Sequence, residues 1–161
     1  MTFLKLIRNA IYSLLTGLLF FLVSCGQIEV FEKNTTIPDY KWATSFAATG
    51  SFEIKDTTSS YNIYIVLRHT DRYDFNNIWM NVGLQPPGDS LFFQKIDLNL
   101  GSDATGWEGT GTNDIWEVRK PLALNKRFIK KGEYQFKILH IMRVDPLPYV
   151  MSVGMRVEKV Q

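Results

Sequence analysis

The chain has one cysteine and two histidines among its 161 residues, and beyond residue 24 it has no long apolar run and no capped stretch at helical spacing. One cysteine excludes an internal disulfide, so packing must hold the fold together. His69 and His140 lie too far apart in sequence to form a recognisable metal-ligand spacing. The glycines are not followed by Lys-Ser or Lys-Thr as in a phosphate loop, and they lack the dinucleotide-binding spacing. A nucleophile elbow is missing as well. Asp97, Asp103, Glu108 and Asp114 are acidic enough for calcium but lack the dense, regular spacing of a calcium loop. No catalytic residue, metal ligand or cofactor is expected. No internal repeat is evident.

What is present begins at the N-terminus. Lys5 and Arg8 form a basic segment, residues 11–23 form an apolar run too short for a comfortable membrane span, and Leu22-Val23-Ser24-Cys25 ends it. Ser24 is the small residue that a signal peptidase requires. This order resembles the lipobox of bacterial lipoprotein precursors, which implies cleavage before Cys25 and lipidation of its thiol and amine. More than one acyl chain on one residue makes a lasting anchor, since each buried methylene contributes about 0.8 kcal/mol. An unlipidated Cys25 would instead be a lone thiol in an oxidising compartment. Residues 1–24 are therefore expected to be a lipoprotein signal peptide, and the membrane a partner through Cys25.

Charge changes meaning once the leader is removed. The whole chain has 18 basic and 16 acidic side chains, and the leader holds two of the bases and no acid, leaving 16 of each. A neutral mature chain gives no support to nucleic-acid binding. Its 137 residues suit one domain with a real core.

Period-2 alternation runs through that domain. Tyr61, Ile63, Ile65 and Leu67 share one face, as do Tyr134, Phe136, Ile138, His140 and Met142, and as do Met151, Val153, Met155 and Val157. Strands are also expected over 28–33, 51–55, 75–84, 91–100 and 113–119, roughly eight in all. Polar residues and a proline at 34–39 read as a loop, so residues 25–40 are expected to be a lipidated N-terminus with a possible first strand and tether, and 41–161 a single domain. Turn chemistry marks 56–60, 86–89, 101–111 and 130–133. The expected fold is all-β, an antiparallel β-sandwich of Greek-key or jelly-roll type, with a closed barrel as the alternative. Strand order is not readable.

Candidate site residues follow from these segments. In the run 106–111, Gly106 and Gly109 can take positive φ and let an indole pack over the backbone, a structural reading. The competing reading presents Trp107 and Trp116 to a partner or a sugar ring. Arg68, Arg143 and Arg156 interrupt or flank apolar strands, with Asp145 and Glu158 as candidate partners should any point inward; a solvated face is equally open. His140 reads as a core histidine.

The motifs taken together resemble a family. Leu67-Arg68, Tyr73-Asp74-Phe75-Asn76-Asn77-Ile78-Trp79, Gly106-Trp107-Glu108-Gly109-Thr110-Gly111, Gly132-Glu133-Tyr134-Gln135-Phe136, Met142-Arg143-Val144-Asp145-Pro146-Leu147 and Val153-Gly154-Met155-Arg156-Val157-Glu158, in that order behind a lipobox, resemble the gliding-motility lipoprotein H family. The resemblance implies a Bacteroidetes-type cell, an outer-membrane lipoprotein, and a role in gliding motility and the linked type IX secretion apparatus. It implies no catalytic residues. Other envelope proteins of that apparatus are the expected partners, and the periplasmic face the expected location, because no acidic cluster follows Cys25. A carbohydrate-binding module using exposed tryptophans is the alternative.

Overall fold

The computed structural model describes residues 30–160. Cys25 and the signal peptide lie outside the described residues.

Two antiparallel sheets form a β-sandwich. The first contains β1 (Val30–Thr36), β13 (Val150–Lys159), β4 (Tyr61–Thr70), β10 (Ile115–Lys126) and β9 (Thr110–Thr112), in that order. The second runs β3 (Ala48–Ile54), β11 (Gly132–His140), β5 (Asn77–Gln85) and β6 (Phe92–Asn99). Two small pairs add β2 (Lys41–Trp42) with β12 (Leu147–Pro148), and β7 (Gly101–Ser102) with β8 (Gly106–Trp107). A single 3-10 turn, Pro38–Tyr40, joins β1 to β2.

Alternation in the sequence becomes two faces in space. Ile63, Ile65 and Leu67 of β4 point inward beside Val153, Met155 and Val157 of β13, and meet Phe52, Ile78, Met80, Tyr134, Phe136 and Ile138 of the other sheet in one core. Fully burying one such side chain contributes about 1.5–3 kcal/mol, so these inward rows account for the pairing of the sheets. Phe31 of β1 packs on Phe52 at 5.7 Å between ring centroids and edge-on against Phe136 at 6.4 Å, which couples the sheets at one side.

The strands expected from sequence are present with shifted ends. Residues 34–36, read as loop, continue β1, which pairs with β13 along its whole length. Residues 30–36 are thereby built into the first sheet. Asn113 has φ 55° and belongs to a turn, while β10 extends past residue 119 to Lys126 through register shifts near Pro121 and Ala123. The glycine-rich stretch, expected to be irregular, contains the three short strands β7, β8 and β9. Such short pairings carry no readable period.

Strand directions define two ends. Residues 55–60, 86–91 and 126–131, with the termini of β1 and β13, form the end where the described chain begins. Residues 37–47, 71–76, 100–114 and 141–149 form the opposite end.

Candidate functional site

The glycine-rich loop clasps one side of the sandwich. Glu108 accepts a hydrogen bond from Asn99 Nδ2 of β6 at 2.5 Å, pairs with Lys120 of β10, and donates its backbone N–H to the Leu100 carbonyl at 2.8 Å. One residue thus ties the two sheets together. The Lys120 ammonium is the main reason that the Glu108 carboxyl titrates below its ordinary range, with the Asn99 bond adding to it against a smaller burial effect. Gly109 has φ 93°, and a Cβ there would lie 2.1 Å from the Glu117 carbonyl oxygen. Gly106 has φ 74° but open space around it.

The two candidate tryptophans lie against the protein. Trp107 is half-buried, edge-to-face on His69 at 4.6 Å between centroids and tilted against Tyr73 at 6.3 Å. Trp116 is half-buried and lies across Gly111, where a Cβ would sit 2.9 Å from its ring. Trp79, at 37% exposure on the outer face of β5, is more open than either. With Trp107 and Trp116 half-buried against the protein, a sugar platform of exposed tryptophans loses two of its three rings.

The arginines separate by face. Arg68 lies on the outer face of the first sheet and donates to Glu117 at 2.6 Å. Arg156 pairs with Glu158 on its own strand and with Glu32 of β1 at 2.8 Å. Arg119 adds contacts of 3.6 Å to Glu32 and 3.7 Å to Glu117. This network runs across β1, β13, β4 and β10. Burial raises the Glu32 pKa, but the bonds from Arg156 and Asn34 and the Arg119 charge outweigh it, and the carboxyl titrates below its ordinary range. Each such part-exposed pair contributes only about 0.2–1 kcal/mol. Asp145 has a different partner: Thr44 donates its N–H at 2.9 Å and its hydroxyl at 2.8 Å, fastening the segment before β12 to the one after β2. Arg143 is exposed beside it.

Both histidines are buried. His69 Nδ1–H donates to the Thr70 carbonyl at 2.8 Å, and His140 tilts against Trp42 at 5.2 Å. Burial pushes both below the usual histidine range, so each is neutral at pH 7. Among the described residues no three of His, Cys, Asp and Glu gather closely enough to hold a metal. Asp97 accepts from Asn77 at 2.7 Å and Asp103 from Asn76 at 3.1 Å, and the Asp114 backbone carbonyl accepts from the Asp71 N–H at 2.7 Å.

A more exposed surface lies on the second sheet, at residues that sequence reasoning missed. Leu91 leads into the edge strand β6, which opens with Phe92 on its inner side and Phe93 on its outer side, at exposures of 37, 53 and 47%. Leu91 and Phe93 cover Gly83 of β5, where a Cβ would sit 2.8 Å from the Phe93 ring. Farther along the same face, the Lys95 ammonium stands 4.5 Å from the Trp79 ring centroid. Beside them is an open groove of about 400 Å³, lined by Phe75, Trp79, Lys95, Met142, Arg143 and Val144. Two successive aromatics in one strand cannot both face inward, so Phe92-Phe93 was the signal available in the sequence.

A family model described as GldH lipoprotein matches residues 29–157. The chain is 26% identical over 160 residues to the gliding motility lipoprotein GldH of Flavobacterium johnsoniae, covering 95% of this chain and 98% of that protein. A gliding motility lipoprotein GldH homolog of Christiangramia forsetii is 22% identical over 143 residues, covering 84% and 87%. Among solved structures, an exo-β-1,3-galactanase of Phanerochaete chrysosporium overlaps with 83% of this chain and 27% of its own, at 12% identity and a TM-score of 0.36, and no carbohydrate chemistry follows from it.

Proposed function

Since this chain belongs to the GldH lipoprotein family, we propose that it is an outer-membrane accessory lipoprotein of gliding motility and the linked type IX secretion machinery, acting by docking onto other envelope proteins rather than by catalysis. Lipidated Cys25 holds it on the periplasmic face. The observation that carries the docking reading is the outer face and edge of the second sheet, where Trp79, Leu91 and Phe93 are exposed, with Phe92 exposed on the other side of the same edge strand. Soluble surfaces seldom leave several large apolar groups open in one region unless a partner covers them. Aromatic side chains are the groups that most often dominate such contacts. Among the described residues the β6 edge beside them is unpaired, and it offers backbone hydrogen bonds to the same partner.

Deletion in the native bacterium should stop cell spreading and reduce secretion. Complementation then separates docking from chemistry. Asp97→Asn, Asp103→Asn, Glu108→Gln and Asp114→Asn, introduced singly, should each restore both activities when the variant is folded and at normal abundance. Loss of motility in one well-folded variant, with a small-molecule product made only by the parent, would establish an enzyme instead.

A further inference from the structure

Charge is sorted between the two ends of the sandwich. At the end where the described chain begins, residues 55–60, 86–91, 126–131 and 159–160 hold six cations and two acids, a net of +4. The segments at the opposite end, 37–47, 71–76, 100–114 and 141–149, hold three cations and seven acids, a net of −4. The mature chain is neutral, so this polarity arises from the placement of the loops and not from composition.

The basic end has a built tip. The link from β10 to β11 reads Lys126-Arg127-Phe128-Ile129-Lys130-Lys131. Phe128 plugs the sandwich, 3% exposed, with its ring edge-on to Tyr134 at 4.8 Å, Tyr61 at 5.4 Å and Phe52 at 5.8 Å. The Lys130 carbonyl accepts from the Tyr134 hydroxyl at 3.0 Å, and the Lys130 ammonium pairs with Asp89 at 2.6 Å. With residues 128 and 130 held, Ile129 is thrust outward at 90% exposure, among the exposed Lys126, Arg127 and Lys131. Leu124, 56% exposed, lies at the same end.

This end also faces the anchor. Val30 pairs with Glu158, and Tyr61 pairs with both Lys159 and Lys126, so the first residue of β1 and the basic link share one rim. Val30 is five residue steps beyond Cys25, and a fully extended chain covers at most about 3.6 Å per step, or roughly 18 Å. A lipidated Cys25 therefore keeps that rim within about 18 Å of the leaflet that holds its acyl chains.

We propose that the 126–131 link is a second membrane contact: Ile129 inserts at the headgroup boundary of the leaflet carrying the anchor, and Lys126, Arg127 and Lys131 bind the phosphates of its anionic lipids. This rests on the lipid-anchor reading of Cys25. An apolar tip ringed by cations suits that interface, and cations near an anionic surface are attracted within about a Debye length. The contact would orient the domain, leaving the exposed face of the second sheet upright and free for partners.

The test uses the full lipidated chain. Ile129→Cys supplies a free thiol distinct from the acylated Cys25, for an environment-sensitive fluorophore, and position 129 is exposed enough to tolerate the change. Flotation with neutral phosphatidylcholine vesicles reports the anchor; quenching of the label by brominated lipid reports the link. Quenching should be strong in vesicles with about one third phosphatidylglycerol and should fall severalfold at about 0.5 M salt. Lys126→Gln, Arg127→Gln and Lys131→Gln should each weaken it by roughly fivefold. A chain that floats while its label stays unquenched in anionic vesicles overturns the second contact alone. A chain that does not float with neutral vesicles overturns the anchor and this proposal with it. Quenching that appears only after envelope proteins are added assigns the link to a protein and also overturns the proposal.

Discussion

Gly109 lies so close to Glu117 that a Cβ on the glycine would fall 2.1 Å from the Glu117 carbonyl oxygen. The contact is backbone against backbone, in the loop through which Glu108 ties β6 to β10, so no side chain can turn aside to relieve it. Gly106, in the same loop, has only its positive φ to oppose a side chain. Gly109→Ala should therefore cost about 3 kcal/mol of stability, combining overpacking with an unfavourable φ. Gly106→Ala should cost about 1 kcal/mol. Urea unfolding of the two variants checks this, and equal midpoints would show that the loop adapts.

The buried histidines make stability fall in mild acid. Both have folded pKa values below the ordinary value of about 6.5, so the unfolded chain takes up protons first as pH decreases. Their contribution is complete above about pH 6.5 and is lost as pH drops from there toward the depressed folded values. Unfolding free energy measured between pH 7.5 and pH 5 should decline, and the double replacement His69→Leu with His140→Leu should flatten that slope. A slope unchanged in the double variant would place the titrating groups elsewhere.

Gly154 controls the docking of the first strand. A Cβ at this position of β13 would sit 2.0 Å from the Lys33 carbonyl oxygen and 2.3 Å from Asn34 Oδ1, both on β1. Gly154→Ala should push β1 away, cost about 2–3 kcal/mol, and raise amide hydrogen exchange selectively over residues 31–35. Unchanged protection there would mean that β1 shifts without losing its pairing.

The core was legible where alternation is strict. The inward row Ile63, Ile65 and Leu67 and the row Tyr134, Phe136 and Ile138 could be read because one face of each strand is buried. Residues 34–36 were not legible as strand, since Asn34 and Thr36 lie exposed and carry no apolar signal. The partners of Arg68 and Asp145 come from segments distant in sequence, Glu117 and Thr44, which only strand order brings near. The same holds for the charged ends: a nearly balanced composition hides a polarity that appears once strand directions are known. The pair Phe92-Phe93 signals that one aromatic faces out, but the exposure of Trp79 was hidden, because a lone aromatic side chain in a strand looks the same in sequence whether it faces a core or solvent.

The most direct measurement is affinity capture of the tagged native lipoprotein from mildly solubilised membranes, comparing the parent with the paired replacement Trp79→Ala and Phe93→Ser. Both side chains are exposed on the outer face of the second sheet, so the variant should fold, carry its lipid and unfold in urea within about 1 kcal/mol of the parent. If docking through this face is the function, a defined set of envelope proteins should remain bound to the parent and be lost from the variant, together with cell spreading. A variant that retains the same partners and restores full motility would contradict docking through this face.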